Sequence, residues 1–270
     1  MLTPLQTKLL DMLKWFHDYC VKHEITYYAL GGTLLGAVRH QGFIPWDDDI
    51  DIGLPRKDYE KLIECMSKEE PGRYILETPG ENKDFVYPFC KIYDTKTTLV
   101  EHTRYKTRRG IYLDIFPLDG IGNTPAESRK NYKKILFRLK VHRAKIYTFS
   151  QGTSLFKFTA ILIARCIPET AKTLKKRVGK INRLCAAKSF EEYRYVGNLL
   201  GVWGYREIAE RAWFGQPKLF SFEDMQICGP ADAHAYLTGI YGDYMQLPPE
   251  EKRVSSHDYL LLDLEKSYLE

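Results

Sequence analysis

Asp47, Asp48, Asp49 and Asp51 place four carboxylates within five positions, and these are the residues of the chain best suited to chemistry. Acids this close repel one another unless water or a cation neutralises them. Asp51 stands between Ile50 and Ile52, where an unpaired charge is costly, so a merely solvated acidic loop is the weaker explanation. A divalent cation is the usual neutraliser, and hard oxygen ligands suit Mg²⁺ or Mn²⁺. Sixteen residues before the cluster stands Gly31-Gly32. Paired glycines let a backbone pass close to a phosphate, and a helix opening at Thr33 would aim N–H donors at it. By itself such a pair says no more than a tight strand-to-helix turn. A third acid, Asp114, lies alone between Leu113 and Ile115. It could complete a metal site or take the proton from an attacking hydroxyl, and a structural ion pair with Lys91 or Arg109 is the competing explanation. Together these residues point to phosphoryl chemistry.

Secondary structure must bring the three parts together. Thr3-Pro4-Leu5-Gln6 reads as a capping box, followed by a helix with Leu5, Leu9, Met12, Leu13, Phe16 and Cys20 on one face. Residues 25–30, ITYYAL, form a predicted strand that runs into the glycine pair, and a short helix covers 33–39. The next strand, 50–54, puts Asp49 and Asp51 on one face and Ile50 and Ile52 on the other. Pro55 opens a helix to about Lys68. Further strands are predicted over 74–77, 89–93 and 98–101, with a turn at 94–96. A strand over 111–116, IYLDIF, carries Asp114 and is ended by Pro117. Thr124-Pro125-Ala126-Glu127 repeats the capping-box pattern and opens a long helix to about Phe149. The expected fold is α+β, a mixed sheet flanked by helices, with a mostly helical C-terminal half.

With 270 residues, 44% of them hydrophobic, the chain can bury a sizeable core. The N-terminus lacks the basic region, apolar run and small-residue cleavage site of a signal peptide. Six cysteines are scattered without a CxxC pair or histidines at zinc-ligand spacing, which fits reduced thiols in a cytoplasmic protein. Charge is distributed unevenly. Residues 129–183 hold 16 Lys or Arg against one acid, Glu169, so that segment carries +15 and the remainder −10. A polyanionic partner or surface follows from such blocks. Within the basic segment, Phe158 to Ile167 is too short to span a bilayer and contains Arg165; it reads equally as a core helix or an interfacial one.

The wording from Leu34 to Gly53, LLGAVRHQGFIPWDDDIDIG, resembles the LicD family of phosphocholine transferases. That family is related to the fukutin-type transferases within the nucleotidyltransferase superfamily. GIYLDIFPLDG (110–120) and YGDYMQLPPEEKRVSSHD (241–258) resemble LicD segments as well, so the similarity reaches nearly the whole chain. It implies transfer of phosphocholine from CDP-choline to a sugar hydroxyl of a cell-surface glycan precursor, of teichoic acid or lipopolysaccharide type, with release of CMP. Asp49 and Asp51 match the family's metal pair and Asp114 its third acid, serving as metal ligands and catalytic residues.

The division that follows is a nucleotidyltransferase-like core over 1–122, a basic helical segment over 123–190, and a helical region over 191–270 that completes the cleft. Gly31, Gly32, Thr33, Arg39, Lys91, Arg109 and His257 are the candidate substrate contacts. Arg39 has a surface salt bridge as its alternative, and His257 a structural role. Lys91 emerges between apolar neighbours, where a phosphate would account for it. Arg104, Arg108 and Arg109 form a basic region able to neutralise donor or acceptor charge. Asp47 and Asp48 are loop residues near the metal pair. Choline requires an aromatic box or a carboxylate, for which Trp203, Tyr205, Trp213, Phe214, Tyr241 and Tyr244 are candidates.

The basic segment predicts docking on an anionic cytoplasmic leaflet that presents a polyprenyl-linked acceptor, hence a peripheral position at the inner face of the membrane. Direct binding of an anionic teichoic-type acceptor is a second explanation of the segment, and a solvated basic face is the plain alternative. Two other readings stand beside phosphocholine transfer. The same fold could use CDP-ribitol, CDP-glycerol or a nucleoside triphosphate. A non-catalytic RNA-binding module is the third, but no aromatic RNA-binding signature accompanies the lysines and no nucleic acid partner is expected.

Overall fold

The computed structural model describes residues 2–82, 84–146, 170–255, 257 and 259–270. Helix α1 (Pro4–Lys22) opens on the expected capping box: Gln6 N–H donates to Thr3 Oγ1, and Thr3 N–H donates to the Gln6 side chain. Its buried face of Leu9, Met12, Leu13, Phe16 and Cys20 lies on the core. Strand β1 is only Tyr28–Ala29. The predicted strand starts earlier, but Thr26 N–H is taken by the Asp58 carboxylate instead of a neighbouring strand. Helix α2 (Gly31–His40) begins two residues before Thr33, because Gly31 adopts φ +47° and turns the chain at once. Strand β2 (Asp51–Pro55) leads directly into α3 (Arg56–Lys68).

Strands β3 (Tyr74–Glu77) and β4 (Cys90–Asp94) follow, then β5 (Thr98–Glu101), β6 (Arg108–Arg109) and the long β7 (Tyr112–Gly122). β7 does not end at Pro117. On one edge it pairs with β2 in parallel, Asp51 to Asp114 through Pro55 to Leu118. On the other edge β4 occupies Tyr112 to Ile115, and pairing with the later strand β8 (Tyr195–Asn198) resumes only at Leu118. Pro117 falls in the gap between these two partners, so its missing N–H interrupts no ladder on that edge.

Helix α4 (Pro125–Ile146) packs on β7 and on α5 (Ala171–Cys185). The predicted continuation of α4 to Phe149, and the run from Phe158 to Ile167, lie outside the described residues. β8 then pairs with β9 (Ile208–Glu210). The main sheet therefore runs β1-β2-β7-β4-β3, with β8 and β9 added beside the far half of β7. Among the described residues its β2–β7 pair is the parallel one and the others are antiparallel. Mixed sheet and helices make the fold α+β, as expected.

Residues 191–270 differ from the helical region predicted. Besides the short α6 (Arg211–Phe214) and α7 (Ala233–Tyr241) they carry β8, β9, a hairpin of β10 (Lys218–Phe222) and β11 (Met225–Gly229), and β12 (Tyr259–Asp263). The hairpin turns at Glu223-Asp224, with Glu223 at φ +53°, and so lacks the Asn-Gly or Asp-Gly signal that marks such turns in sequence. β12 forms a second small sheet with β5 and β6. Cys20, Cys65, Cys90, Cys185 and Cys228 are free thiols. No helix among the described residues is long and apolar enough to cross a membrane.

Candidate active site

Ladder register assembles the acids. Asp51 on β2 and Asp114 on β7 are direct partners, and Asp114 is also the partner of Lys91 on β4. Residues opposite each other point to the same face, so three adjacent strands, about 4.8 Å apart, deliver two acids and a lysine to one spot. Thr33 supports this from α2: its Oγ1 accepts the Asp51 backbone N–H at 2.9 Å. The first turn of α2 lies against the cluster. A Cβ on Gly31 would stand 3.0 Å from Asp51 Oδ2, and one on Gly32 would stand 2.5 Å from Asp47 Oδ2. Both glycines thus admit carboxylates to a helix N-terminus, where the backbone N–H groups favour negative charge.

Burial dominates the electrostatics. It pushes Asp47 up to about 8, with Asp49 adding repulsion. It raises Asp49 as well, and it raises Asp51 strongly, with repulsion from Asp49 and Asp114 added. Asp114 rises to about 6, because burial outweighs the attraction of Lys91. Asp48 behaves differently. Burial would raise it, but hydrogen bonds from His257 and Ser255 hold it below the usual carboxylate range. His257 Nδ1 lies 2.8 Å from Asp48 Oδ1 and Nε2 lies 3.4 Å from Asp49 Oδ2. Burial opposes its protonation, yet the two acids bring the imidazole up to about 9. The acid cluster therefore has one cation at each end.

Lys91 is the second of these. Its Nζ lies 3.1 Å from Asp114 and 3.3 Å from Glu101, and it sits over the rings of Tyr112 and Tyr87 at 3.2 and 4.1 Å. Both tyrosine hydroxyls donate to Glu101. Carboxylates and ring faces, present in the protein itself, account for a lysine that is 1% exposed. The ion pair weighed for Asp114 is thus present, with Lys91 and not with Arg109.

These groups line a cavity of about 500 Å³. Its floor is Gly31, Gly32, Asp47, Asp49, Asp51 and Asp114, with Lys91 and His257 at the sides. Helix α4 contributes His142 and Arg143, the loop after β8 contributes Gly201 and Trp203, and α7 contributes Tyr236 and Tyr241. Arg39 is not part of it: the guanidinium donates to the Tyr244 carbonyl at 2.7 Å and borders an adjoining cavity of about 560 Å³ with Trp46 and Tyr241. Arg109 also lies elsewhere, forking onto Glu77 at 2.8 and 3.0 Å, while Arg104 and Arg108 are exposed.

Of the aromatic candidates, Trp203 and Tyr241 reach the cavity. Phe214 is fully buried in the core, Tyr205 packs on Tyr132, and the Tyr244 hydroxyl pairs with His234. Trp213 packs against the core from the side and is not in the cavity wall. Sequence reasoning missed Glu101, Tyr112 and Glu207 and undervalued Asp47. For Asp47 the signal was its position before Asp48-Asp49; the others carry no local signal.

The donor set suits a divalent cation on chemical grounds. Asp47, Asp49 and Asp51 offer only hard oxygens and repel one another in a buried setting. Among the described residues, however, no group of three or more His, Cys, Asp or Glu is already gathered as a metal-holding array.

The family described as "LicD/FKTN/FKRP, nucleotidyltransferase domain" matches residues 24–149. The Haemophilus influenzae lipopolysaccharide cholinephosphotransferase LicD is 30% identical over 263 residues, covering 93% of this chain and 94% of that protein. Human ribitol 5-phosphate transferase FKRP is 50% identical over 34 residues, 13% of this chain and 7% of its own. Yeast mannosyltransferase regulator 4 is 25% identical over 132 residues, 46% of this chain and 10% of its own. An acid pair set across a parallel ladder beneath a glycine-opened helix here belongs to an enzyme, a phosphotransferase. The chain belongs to the LicD family.

Proposed function

We propose that the protein transfers phosphocholine from CDP-choline to a sugar hydroxyl of a cell-surface glycan precursor and releases CMP. The direct Asp51–Asp114 pairing at the floor of a cavity carries the reading, because it sets two acids where one phosphorus can be reached by both. Similarity along nearly the full length to a lipopolysaccharide cholinephosphotransferase supports the choice of phosphocholine. In the reaction the acceptor oxygen bonds to the choline-bearing phosphorus, the bond from that phosphorus to CMP breaks, and the hydroxyl proton passes to Asp114. Lys91 orients the Asp114 carboxylate for this. Asp49 and Asp51 would hold Mg²⁺ or Mn²⁺, which when bound offsets charge on the phosphoryl oxygens. His257, fixed by Asp48, holds Asp49 in place.

The test is incubation of purified protein with CDP-choline, Mg²⁺ and lipopolysaccharide-type or teichoic-type acceptors, following CMP. CMP release with phosphocholine on the glycan is the expected result. A protein that is stabilised by and consumes CDP-ribitol, CDP-glycerol or a nucleoside triphosphate, but not CDP-choline, overturns it.

Exposed Arg129, Lys130, Lys133, Lys134, Arg138 and Lys140 on α4, and Lys172, Lys175, Lys176, Lys180 and Arg183 on α5, support docking at an anionic membrane surface where a polyprenyl-linked acceptor would be met. Arg143 and Arg177 are used internally, on the carbonyls of Leu200 and Gly201 and on His142. Sedimentation with vesicles containing anionic lipid, against neutral ones, checks this; equal partition into both speaks against it.

A further inference from the structure

Glu207 is an acid for which the transfer chemistry has no use. It is 5% exposed and borders the cavity, and its carboxylate accepts the Trp203 backbone N–H at 2.8 Å. Among the described residues no cationic side chain lies within ion-pair distance of it. Arg143 acts on it from farther away and spends its own guanidinium on the carbonyls of Leu200 and Gly201. Burial pushes its carboxyl up to about 8. A buried carboxylate without a counter-charge is expensive to keep, so a ligand cation is the natural partner.

The surroundings show what kind of cation. A Cβ on Gly201 would meet both Glu207 carboxylate oxygens at 2.0 Å, so the loop backbone lies against the acid only because residue 201 is glycine. From that loop Trp203 projects 44% exposed, edge-on to Tyr241 at 5.1 Å between ring centres. An exposed indole that covers no core is free to cover a ligand. Tyr241 reaches back to the acid cluster: its hydroxyl would be 3.7 Å from a Cβ on Gly31, the residue that touches Asp51. One carboxylate and two aromatic rings thus stand beside the place where the phosphorus would be attacked.

We infer that Glu207, Trp203 and Tyr241 form the pocket for the donor's quaternary ammonium, an inference that rests on the phosphocholine reading above. A trimethylammonium group has no N–H to donate, so only charge and ring faces can recognise it, and these three residues supply both. A polyol such as ribitol would bring hydroxyls to a wall with one acid and two rings. Glu207 and the rings therefore decide which headgroup the enzyme accepts.

The test measures binding by calorimetry with Mg²⁺ present, using CDP-choline, CMP, and the CDP ester of 3,3-dimethylbutanol, in which carbon replaces the charged nitrogen. Wild type is expected to prefer CDP-choline over the neutral ester by about tenfold or more. Glu207→Gln and Trp203→Ala are each expected to bring the two esters to within about twofold while CMP binding is unchanged. Trp203 lies on an exposed loop, so its variant tests the pocket even where Glu207→Gln disturbs folding. Retention of the tenfold preference in both variants overturns the pocket and leaves phosphocholine transfer standing. Absence of any preference in wild type overturns the phosphocholine reading itself.

Discussion

Asp51 and Asp114 face each other directly across the one parallel ladder among the described strands of the main sheet. Their mutual repulsion in a buried site is a standing energetic cost, which the proposed transfer chemistry would account for. Asp51→Ala removes that repulsion together with the proposed metal ligand. CMP release is expected to fall by about 10³-fold or more, while the thermal midpoint stays level or rises. A fully active Asp51→Ala enzyme removes this residue from the mechanism.

Lys91 is the counter-charge for Asp114 and Glu101 together. Lys91→Met would leave both acids uncompensated in the interior. Denaturant titration is expected to show a loss of about 3–5 kcal/mol. A loss under about 1 kcal/mol would mean that the pairs contribute no more than exposed ones do.

The two glycines are expected to respond differently. Gly31 adopts φ +47°, so Gly31→Ala should destabilise by about 1–2 kcal/mol through backbone strain. At Gly32 the new methyl meets only the mobile end of Asp47. Gly32→Ala should therefore fold normally yet transfer phosphocholine poorly, since Asp47 must leave the helix N-terminus. Equal stability of the two variants, measured by thermal melts, would contradict this.

His142 gives the molecule an acid-sensitive point. Its Nε2–H donates to the Val86 carbonyl at 2.8 Å, and its Nδ1 accepts from Arg177 at 3.0 Å, so a proton on Nδ1 has no place. Burial first, then Arg177, depress the group to about 3. The unfolded chain binds that proton near pH 6.5, so the contribution of neutral His142 is complete above that pH. It is lost as pH falls toward 3, at up to about 1.4 kcal/mol per pH unit. His142→Gln should flatten the pH dependence of stability between pH 6 and 4; an unchanged slope would assign the acid sensitivity to other groups.

Much of the site was legible because strand periodicity is local. The pattern Asp49-Ile50-Asp51-Ile52 gives the shared face of the two acids directly, and Asp114 between apolar neighbours marks a second strand. Partnerships between distant strands were not legible. Nothing near Lys91 in sequence announces Glu101 and two tyrosine rings, and nothing near Arg109 announces Glu77. Pro117 misled for a related reason. A proline ends a strand only where a neighbour needs its N–H, and here the two neighbours on that edge stop short of it. The β10–β11 hairpin was hidden because Glu223-Asp224 is an unusual pair for so tight a turn.

The pairing of β12 with β5 also sets a schedule. Asp48 and His257 are separated by 209 positions, yet they form one ion pair in the site. A ribosome delivers the four aspartates long before the imidazole that steadies them, so the acid cluster must wait for that partner while the chain between them is made. Catalytic competence should therefore appear abruptly, when β12 adds to β5, and not accumulate as the sheet grows.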